Sequence, residues 1–181
     1  LKHAAFQVAT VMTTTGFATA DFNQWPILSQ TILVLLMFVG ACAGSTGGGM
    51  KVSRFIIYIK SAQKEIASLL HPSSVKKIKM DGKVVDHETI RSANVYLIIY
   101  ILLLAVSILL VSINGFDLVT TTTSVIACFN NIGPGLGVVG PMGNFSSLSW
   151  LSKLVLILDM LAGRLEVFPI VVLLFRDTWK R

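Results

Sequence analysis

Three stretches of this chain are apolar over membrane-crossing lengths. Ile27 to Ala43 ("ILSQTILVLLMFVGACA") carries no charge and runs straight into the glycine-rich "GSTGGG". Asn94 to Ile113 ("NVYLIIYILLLAVSILLVSI") is the most uniform, and Leu148 to Phe175 is long enough to cross with tilt or a break. A crossing helix needs about 20 mostly apolar residues at 1.5 Å rise each, so each stretch predicts a spanning helix. Two shorter stretches, Ala4 to Thr15 and Leu118 to Asn131, are apolar to threonine-rich. They are too short to span and predict re-entrant or buried helices.

The polar positions orient these elements. Nine of the fifteen Lys and Arg residues lie between Lys51 and Arg91, and Arg176, Lys180 and Arg181 close the chain. Ala18 to Pro26, Asn114 to Asp117 and Val138 to Trp150 contain no Lys or Arg. By the positive-inside rule the basic linker and the C-terminus are cytoplasmic, so the short helices and their glycine loops open outward. Within the linker, "VKKIKMDGKVVDHE" places Asp81-Gly82 between two short alternating segments. That pattern predicts a small hairpin, and a solvated charged loop fits it as well.

The pattern repeats. Phe22, Met37 and Gly40 recur 123 positions later as Phe145, Met160 and Gly163, and Leu33 and Leu35 recur as Leu156 and Leu158. Gly16 after "TTT" matches Gly133 after "NNI" at an offset of 117, with the six extra residues in "GLGVVGPMG". Both copies run short helix, glycine loop, long span, and internal repeats are a common device of transporters and channels.

Composition agrees. Hydrophobic residues make up 54% of the 181, charged residues 13%, and the mean hydropathy is +0.75; soluble domains carry about 25% charged residues. The net charge of +6 follows topology rather than a nucleic-acid-reading surface, and no nucleic-acid partner is expected. Cys42 and Cys128 give no metal spacing or disulfide framework, and His3, His71 and His87 are scattered. The opening "LKHAAFQVATVMTTTGF" lacks a signal-peptide pattern and reads as a chain entered midway. A membrane-embedded enzyme would need a nucleophile and base at one depth, and no histidine lies within a span. No catalytic residue and no cofactor are expected.

The stretch "CFNNIGPGLGVVGPMGNF" holds five glycines and two prolines between apolar segments and cannot continue a helix. Non-helical backbone at membrane depth is tolerated where protein buries it or a watery cavity wets it. A short descending helix followed by an extended ascending segment presents carbonyl oxygens to such a cavity, and carbonyls can replace the water shell of K⁺. Neither "TTTGF" nor "NNIGPGLG" holds a carboxylate, which favours a weakly hydrated monovalent cation over a divalent one. The competing reading is a structural turn between packed helices.

"TTTGFATADF", "GACAGSTGGGMKVSR", "NNIGPGLG" and "MLAGRLEVFPIVVLLF" together closely resemble the TrkH/KtrB family of potassium uptake proteins, in the superfamily that includes plant HKT transporters. The resemblance covers nearly the whole chain, with the four motifs in family order. It implies an all-α membrane protein built from repeated units of span, re-entrant pore helix with filter loop, and span, forming a potassium-channel-like pore of four such units. This chain is similar to the C-terminal part. Residues 1–60 would be the third unit without its first span, 61–92 the basic cytoplasmic linker, and 93–181 the complete fourth unit; alone they should not enclose a pore.

Residue by residue, the resemblance implies that Thr14, Thr15 and Gly16 form the third filter segment and that Asn131, Ile132 and Gly133 form the fourth. One filter glycine per copy suggests weaker ion discrimination than a TVGYG filter gives, and Pro134 departs from Phe17 by lacking an amide donor. Between Gly40 and Lys51, Gly44 and Gly49 have Walker-type spacing, yet Met50 follows, so no phosphate loop is present. The family pattern makes Gly44, Ser45, Thr46, Gly47, Gly48 and Gly49 a flexible gate under the filter; a packed helix break is the alternative. It also directs Arg164 at the cavity and the gating loop, where a fixed positive charge would slow cations. The alternative pairs Arg164 with Asp159 or Glu166, at spacings that do not face it along a helix.

Other positions read plainly. Lys51 and Arg54 anchor the first span at the inner interface, Trp25, Trp150 and Trp179 sit at span ends as aromatic belts do, and Lys153 snorkels outward. Asp21 and Asp117 either concentrate cations at the mouth or decorate the surface. The family likeness further implies passive K⁺ movement across the bacterial inner membrane, a homodimer, the remaining repeat units of the same pore, and a cytoplasmic ring of nucleotide-binding regulatory subunits of the TrkA or KtrA type. A proton- or sodium-coupled secondary transporter is the competing class, with Asp159 and Glu166 its span carboxylates.

Overall fold

The computed structural model describes residues 1–40, 42, 45, 47–71, 77–80 and 82–164. The described helices are α1 (Lys2–Met12), α2 (Ile27–Phe38), α3 (Val52–Leu70), α4 (His87–Ser112), α5 (Leu118–Phe129) and α6 (Trp150–Arg164). Strands β1 (Lys79–Met80) and β2 (Lys83–Val84) pair antiparallel with Lys79 opposite Val84 and Met80 opposite Lys83. Gly82 takes φ +79 in the turn between them, so the linker holds the small hairpin rather than a loop without pairing. Asp81 lies outside the described residues.

The two repeats are visible in the helix ends. Met12 and Phe129 close α1 and α5 at the 117-residue offset, and Ile27 and Trp150 open α2 and α6 at the 123-residue offset. Both short helices are far below crossing length, at 11 and 12 residues. Of α5, nine of the twelve residues are buried. Of its buried threonines, Thr123 returns its hydroxyl to the Val119 carbonyl at 2.7 Å, and the Thr120 hydroxyl accepts from the Val138 amide at 3.3 Å.

Helix α4 is the described element long and apolar enough to cross a membrane, with 26 residues, about 39 Å of rise. It starts seven residues before Asn94, and Glu88 in its first turn suits the positive end of the helix dipole. Ala93, Tyr96, Tyr100, Ser107 and Val111 form its buried stripe, whereas Ile98 and Leu109 on the other side are 64% and 69% exposed. An apolar outward face is what a bilayer accepts.

The first predicted span departs from a single helix. Hydrophobicity continues to Ala43, yet α2 ends at Phe38. Val39 and Met50 form a parallel bridge, and the Gly40 amide donates to the Met50 carbonyl at 2.8 Å. The chain therefore leaves the helix, loops, and returns beside its exit before α3 begins. Glycine-rich sequence pays too much backbone entropy to hold a helix there. For the last predicted span, α6 covers Trp150–Arg164, and residues 165–175 lie outside the described residues.

Packing joins the two repeats. Val11, Phe22, Leu33 and Met37 from the first meet Ile126, Ile132 and Leu136 from the second in one buried cluster. A second cluster sets Met50 against Tyr96, Tyr100, Phe129 and Ala162, so the return of the loop rests on α4, α5 and α6 together.

Candidate functional site

The two short helices end in the same turn. From α1, the Thr13, Thr14 and Thr15 amides donate to the Ala9, Val11 and Thr10 carbonyls at 2.9, 3.2 and 3.0 Å. From α5, the Asn130, Asn131 and Ile132 amides donate to Ile126, Cys128 and Ala127 at 3.0, 3.0 and 2.9 Å. Each pattern is a Schellman closure, whose penultimate residue must be left-handed. Thr14 and Asn131 fill that place at φ 54 and 56. Asparagine tolerates it, but for β-branched Thr14 it is strained by about 1–3 kcal/mol, the kind of cost that accumulates at functional sites.

Beyond the turns, Gly16 (φ +83) and Gly133 (φ +107) face each other. A Cβ on Gly16 would collide with the Ile132 carbonyl oxygen, and one on Gly133 would lie 3.9 Å from the Gly16 Cα. The structure thus brings Thr14, Thr15 and Gly16 against Asn131, Ile132 and Gly133 at one junction. The C-terminal ends of α1 and α5, which carry the negative pole of each helix dipole, both lead into it.

A cavity of about 590 Å³ opens beneath the first segment, lined by Met12, Thr13, Thr14, Thr15, Gly40, Cys42, Ser45, Gly47, Val52 and Arg164. It unites three residues of the first turn, four residues of the 40–51 loop and the α6 arginine. Asn131, Ile132 and Gly133 are not among its lining. Ile132 is buried, and the Asn131 amide instead donates to the Met160 carbonyl of α6 at 3.0 Å. Gly44 and Thr46 lie outside the described residues.

The loop is pressed against the second turn. A Cβ on Gly48 would collide with the Asn130 carbonyl oxygen and stand 2.9 Å from the Asn131 Cβ, so only glycine fits. Asn130 is fully buried: its Oδ1 accepts from the Tyr100 hydroxyl at 2.8 Å, and its Nδ2 donates to the Ile126 carbonyl at 3.0 Å. The Tyr100 ring meets Phe129 edge-on at 4.9 Å. In the sequence Asn130 is signalled only by being the first residue of "NN".

Lys51 is not the interface anchor expected of it. It is 7% exposed, and its Nζ donates to the Ser45 and Gly47 carbonyls at 2.7 and 2.8 Å. Arg54 lies over the Tyr96 ring at 4.0 Å, a cation–π contact between α3 and α4. Lys153 does reach outward, to the Ser146 carbonyl at 2.8 Å.

Asp21 and Asp117 have a local structural use. The Asp21 carboxylate accepts from the Asn23 amide and that of Asp117 from the Thr120 amide, each at 3.1 Å, capping the turns that follow. The side-chain and then the backbone hydrogen bond from Thr120 hold the Asp117 carboxyl below its usual range. Asp159 is buried and turns to α4, where the Ser107 hydroxyl donates to its Oδ1 at 2.6 Å. It does not line the cavity that holds Arg164, and Glu166 lies outside the described residues.

Comparison with known proteins places this arrangement. The family model described as TrkH, a cation transport protein, matches residues 1–178. The chain is 39% identical over 180 residues to the Trk system potassium uptake protein TrkH of Salmonella typhimurium, covering 99% of this chain and 37% of that protein. It is also 39% identical over 181 residues to the TrkH of Halomonas elongata, covering 100% and 37%. The crystal structure of the potassium transporter TrkH from Vibrio parahaemolyticus superposes with a TM-score of 0.85 at 36% identity, over 98% of this chain and 38% of that one. The chain therefore spans about 37% of the length of the curated relatives it matches. On the family match across nearly every residue, the chain belongs to the TrkH family of cation transport proteins.

Proposed function

We propose that this chain supplies two of the four walls of a potassium pathway across the bacterial inner membrane. Residues 1–60 form the third repeat unit, 61–92 the cytoplasmic linker and 93–181 the fourth unit, with α3 and α4 running on through the boundaries. Other units of the same pore complete the ring, a second copy makes the homodimer, and a nucleotide-binding ring of the TrkA or KtrA type docks on the basic linker. The C-terminus is cytoplasmic, and the chain carries out no covalent chemistry.

The observation that carries this reading is the matched pair of turns that bring Gly16 against Gly133. Thr14, Thr15, Gly16, Asn131, Ile132 and Gly133 present main-chain oxygens to a K⁺ ion that has shed its water. The negative poles of α1 and α5 add about 0.3–1 kcal/mol each in favour of the cation. Below, the segment Gly44 to Gly49 closes the path together with Arg164. A unit positive charge at 4 Å opposes a monovalent cation by about 4 kcal/mol at an effective dielectric of 20, enough to slow passage strongly. A coupled secondary transporter would want a carboxylate in the cavity; among the described residues Asp159 instead faces Ser107, and Glu166 lies outside them.

The test is the K⁺ over Na⁺ preference of ion flux in proteoliposomes holding the assembled transporter. Gly16→Ser and Gly133→Ser each put a side chain on left-handed backbone, at Gly16 also against the Ile132 carbonyl, and the preference is expected to fall in both. A preference equal to the parent's in both variants would remove these residues from the ion path.

A further inference from the structure

From the buried contacts of Lys51 we infer that its ammonium is a built-in cation that latches the 40–51 loop in its closed form, acting as a positioning residue for the gate. The inference rests on the reading of that loop as a gate.

The geometry is specific. Lys51 stands between the glycine run and the first turn of α3, and a side chain there would ordinarily snorkel to water. Instead it is 7% exposed and bends back over the loop. Its Nζ gathers the Ser45 carbonyl at 2.7 Å and the Gly47 carbonyl at 2.8 Å. The same short segment is internally braced: the Ser45 amide donates to the Cys42 carbonyl at 3.0 Å and the Gly47 amide to the Ser45 hydroxyl at 3.2 Å. Next in line, Gly48 lies flat on Asn130 and Asn131 at the foot of the second turn.

A buried ammonium is costly unless donors and acceptors match. Charge-assisted hydrogen bonds to two carbonyls offset that cost, and a lysine ammonium is a compact point charge with three rotatable donors. Main-chain carbonyls around a compact monovalent cation is also how a permeating K⁺ is held. Lys51 thus occupies, from inside the protein, oxygens of the loop that lines the cavity below Thr14 and Thr15. With the ammonium in place, Ser45 and Gly47 of a glycine-rich segment of low intrinsic helix propensity are tied to the start of α3. Without it, Ser45 and Gly47 lose both of these ties to the start of α3.

Cys42 gives a natural reporter, because it is exposed in the cavity wall whereas Cys128 is buried. In the assembled transporter reconstituted in proteoliposomes, Lys51→Met, which removes both hydrogen bonds, is expected to speed modification of Cys42 by a charged methanethiosulfonate by about tenfold or more, tenfold being the effect of one lost charge-assisted hydrogen bond. Rubidium flux should rise in the same preparation, with K⁺ over Na⁺ preference as in the parent. Lys51→Arg, which keeps the charge, should fall between the two. Unchanged Cys42 labelling in a Lys51→Met protein that elutes as the parent does would overturn the latch. If Lys51→Met aggregates, Lys51→Gln must label faster than Lys51→Arg, and equal rates overturn it. The two readings fail separately: the filter is judged by ion preference in the Gly16 and Gly133 variants, the latch by Cys42 labelling in the Lys51 variants.

Discussion

Asn23 and Gly137, 114 positions apart, exchange two hydrogen bonds: the Asn23 Nδ2 donates to the Gly137 carbonyl at 3.1 Å, and the Gly137 amide donates to the Asn23 Oδ1 at 3.0 Å. The side-chain amide plays the part of a backbone strand and staples the outer loop of one repeat to that of the other. Gly140 packs against the same amide so closely that a Cβ there would collide with it. Behind it, the Leu136 amide donates to the Thr123 hydroxyl at 2.9 Å, so the staple continues into α5.

Asn23→Ala removes both bonds at once. The expected loss is about 1–3 kcal/mol, read as a lower midpoint of thermal unfolding for detergent-purified protein. Because the staple steadies the loop that leaves Gly133, K⁺ over Na⁺ preference should fall with it. A variant that melts like the parent would deny the staple any weight.

Tyr100→Phe deletes one oxygen and leaves the buried Asn130 Oδ1 without the hydroxyl it accepts from. An unsatisfied buried acceptor costs about 1–3 kcal/mol. Lower thermal stability together with reduced rubidium flux is expected. Ser112→Ala, on the exposed end of α4, serves as the comparison and should change neither.

Gly48→Ala drives a methyl group into the Asn130 carbonyl. Overpacking of this kind costs about 1–3 kcal/mol, and Asn130 is held in place by Tyr100 and Ile126, so the loop is the partner expected to move. It should lift away, giving higher flux in the absence of any activating partner. Flux no greater than the parent's would argue that the loop does not stand in the ion path.

Arg164→Ala takes the fixed charge out of the cavity. Flux through the assembled transporter should rise, while Arg164→Lys should stay near the parent. Equal conductance in the alanine variant would strip Arg164 of its electrostatic role.

Asp117→Ala removes the cap of α5 at a cost of about 1 kcal/mol. Because hydrogen bonds from Thr120 depress its folded pKa, the carboxylate stabilises the protein above its unfolded pKa of about 3.9. That contribution is lost as pH falls through the lower folded value. The difference in melting temperature between parent and variant should be constant near neutrality and shrink in strong acid.

The order short helix, glycine loop, long span was legible because each element writes a distinct mark: apolar length for a span, threonine and brevity for a re-entrant helix, glycine and proline for the turn. Even the faint repeat proved physical, since the helix ends coincide at its two offsets. The break after Phe38 was placed too late because hydropathy measures the solvent a side chain prefers and is blind to the path of the backbone. Lys51 misled for a related reason. A lysine beside a span normally seeks water, and only the folded loop reveals carbonyls within its reach. Asn23 left no trace and Asn130 little, since their value lies in hydrogen bonds with residues that are distant in sequence or on a neighbouring helix.

The twin turns are matched in shape but unequally secured. Asn131 sits at ease in its left-handed conformation and is moored to Met160, whereas Thr14 holds the same pose under strain beside an open cavity. Thermal motion follows the weaker mooring, so an ion on the proposed path would feel one firm bank, on which Gly48 is packed, and one yielding bank across the open cavity.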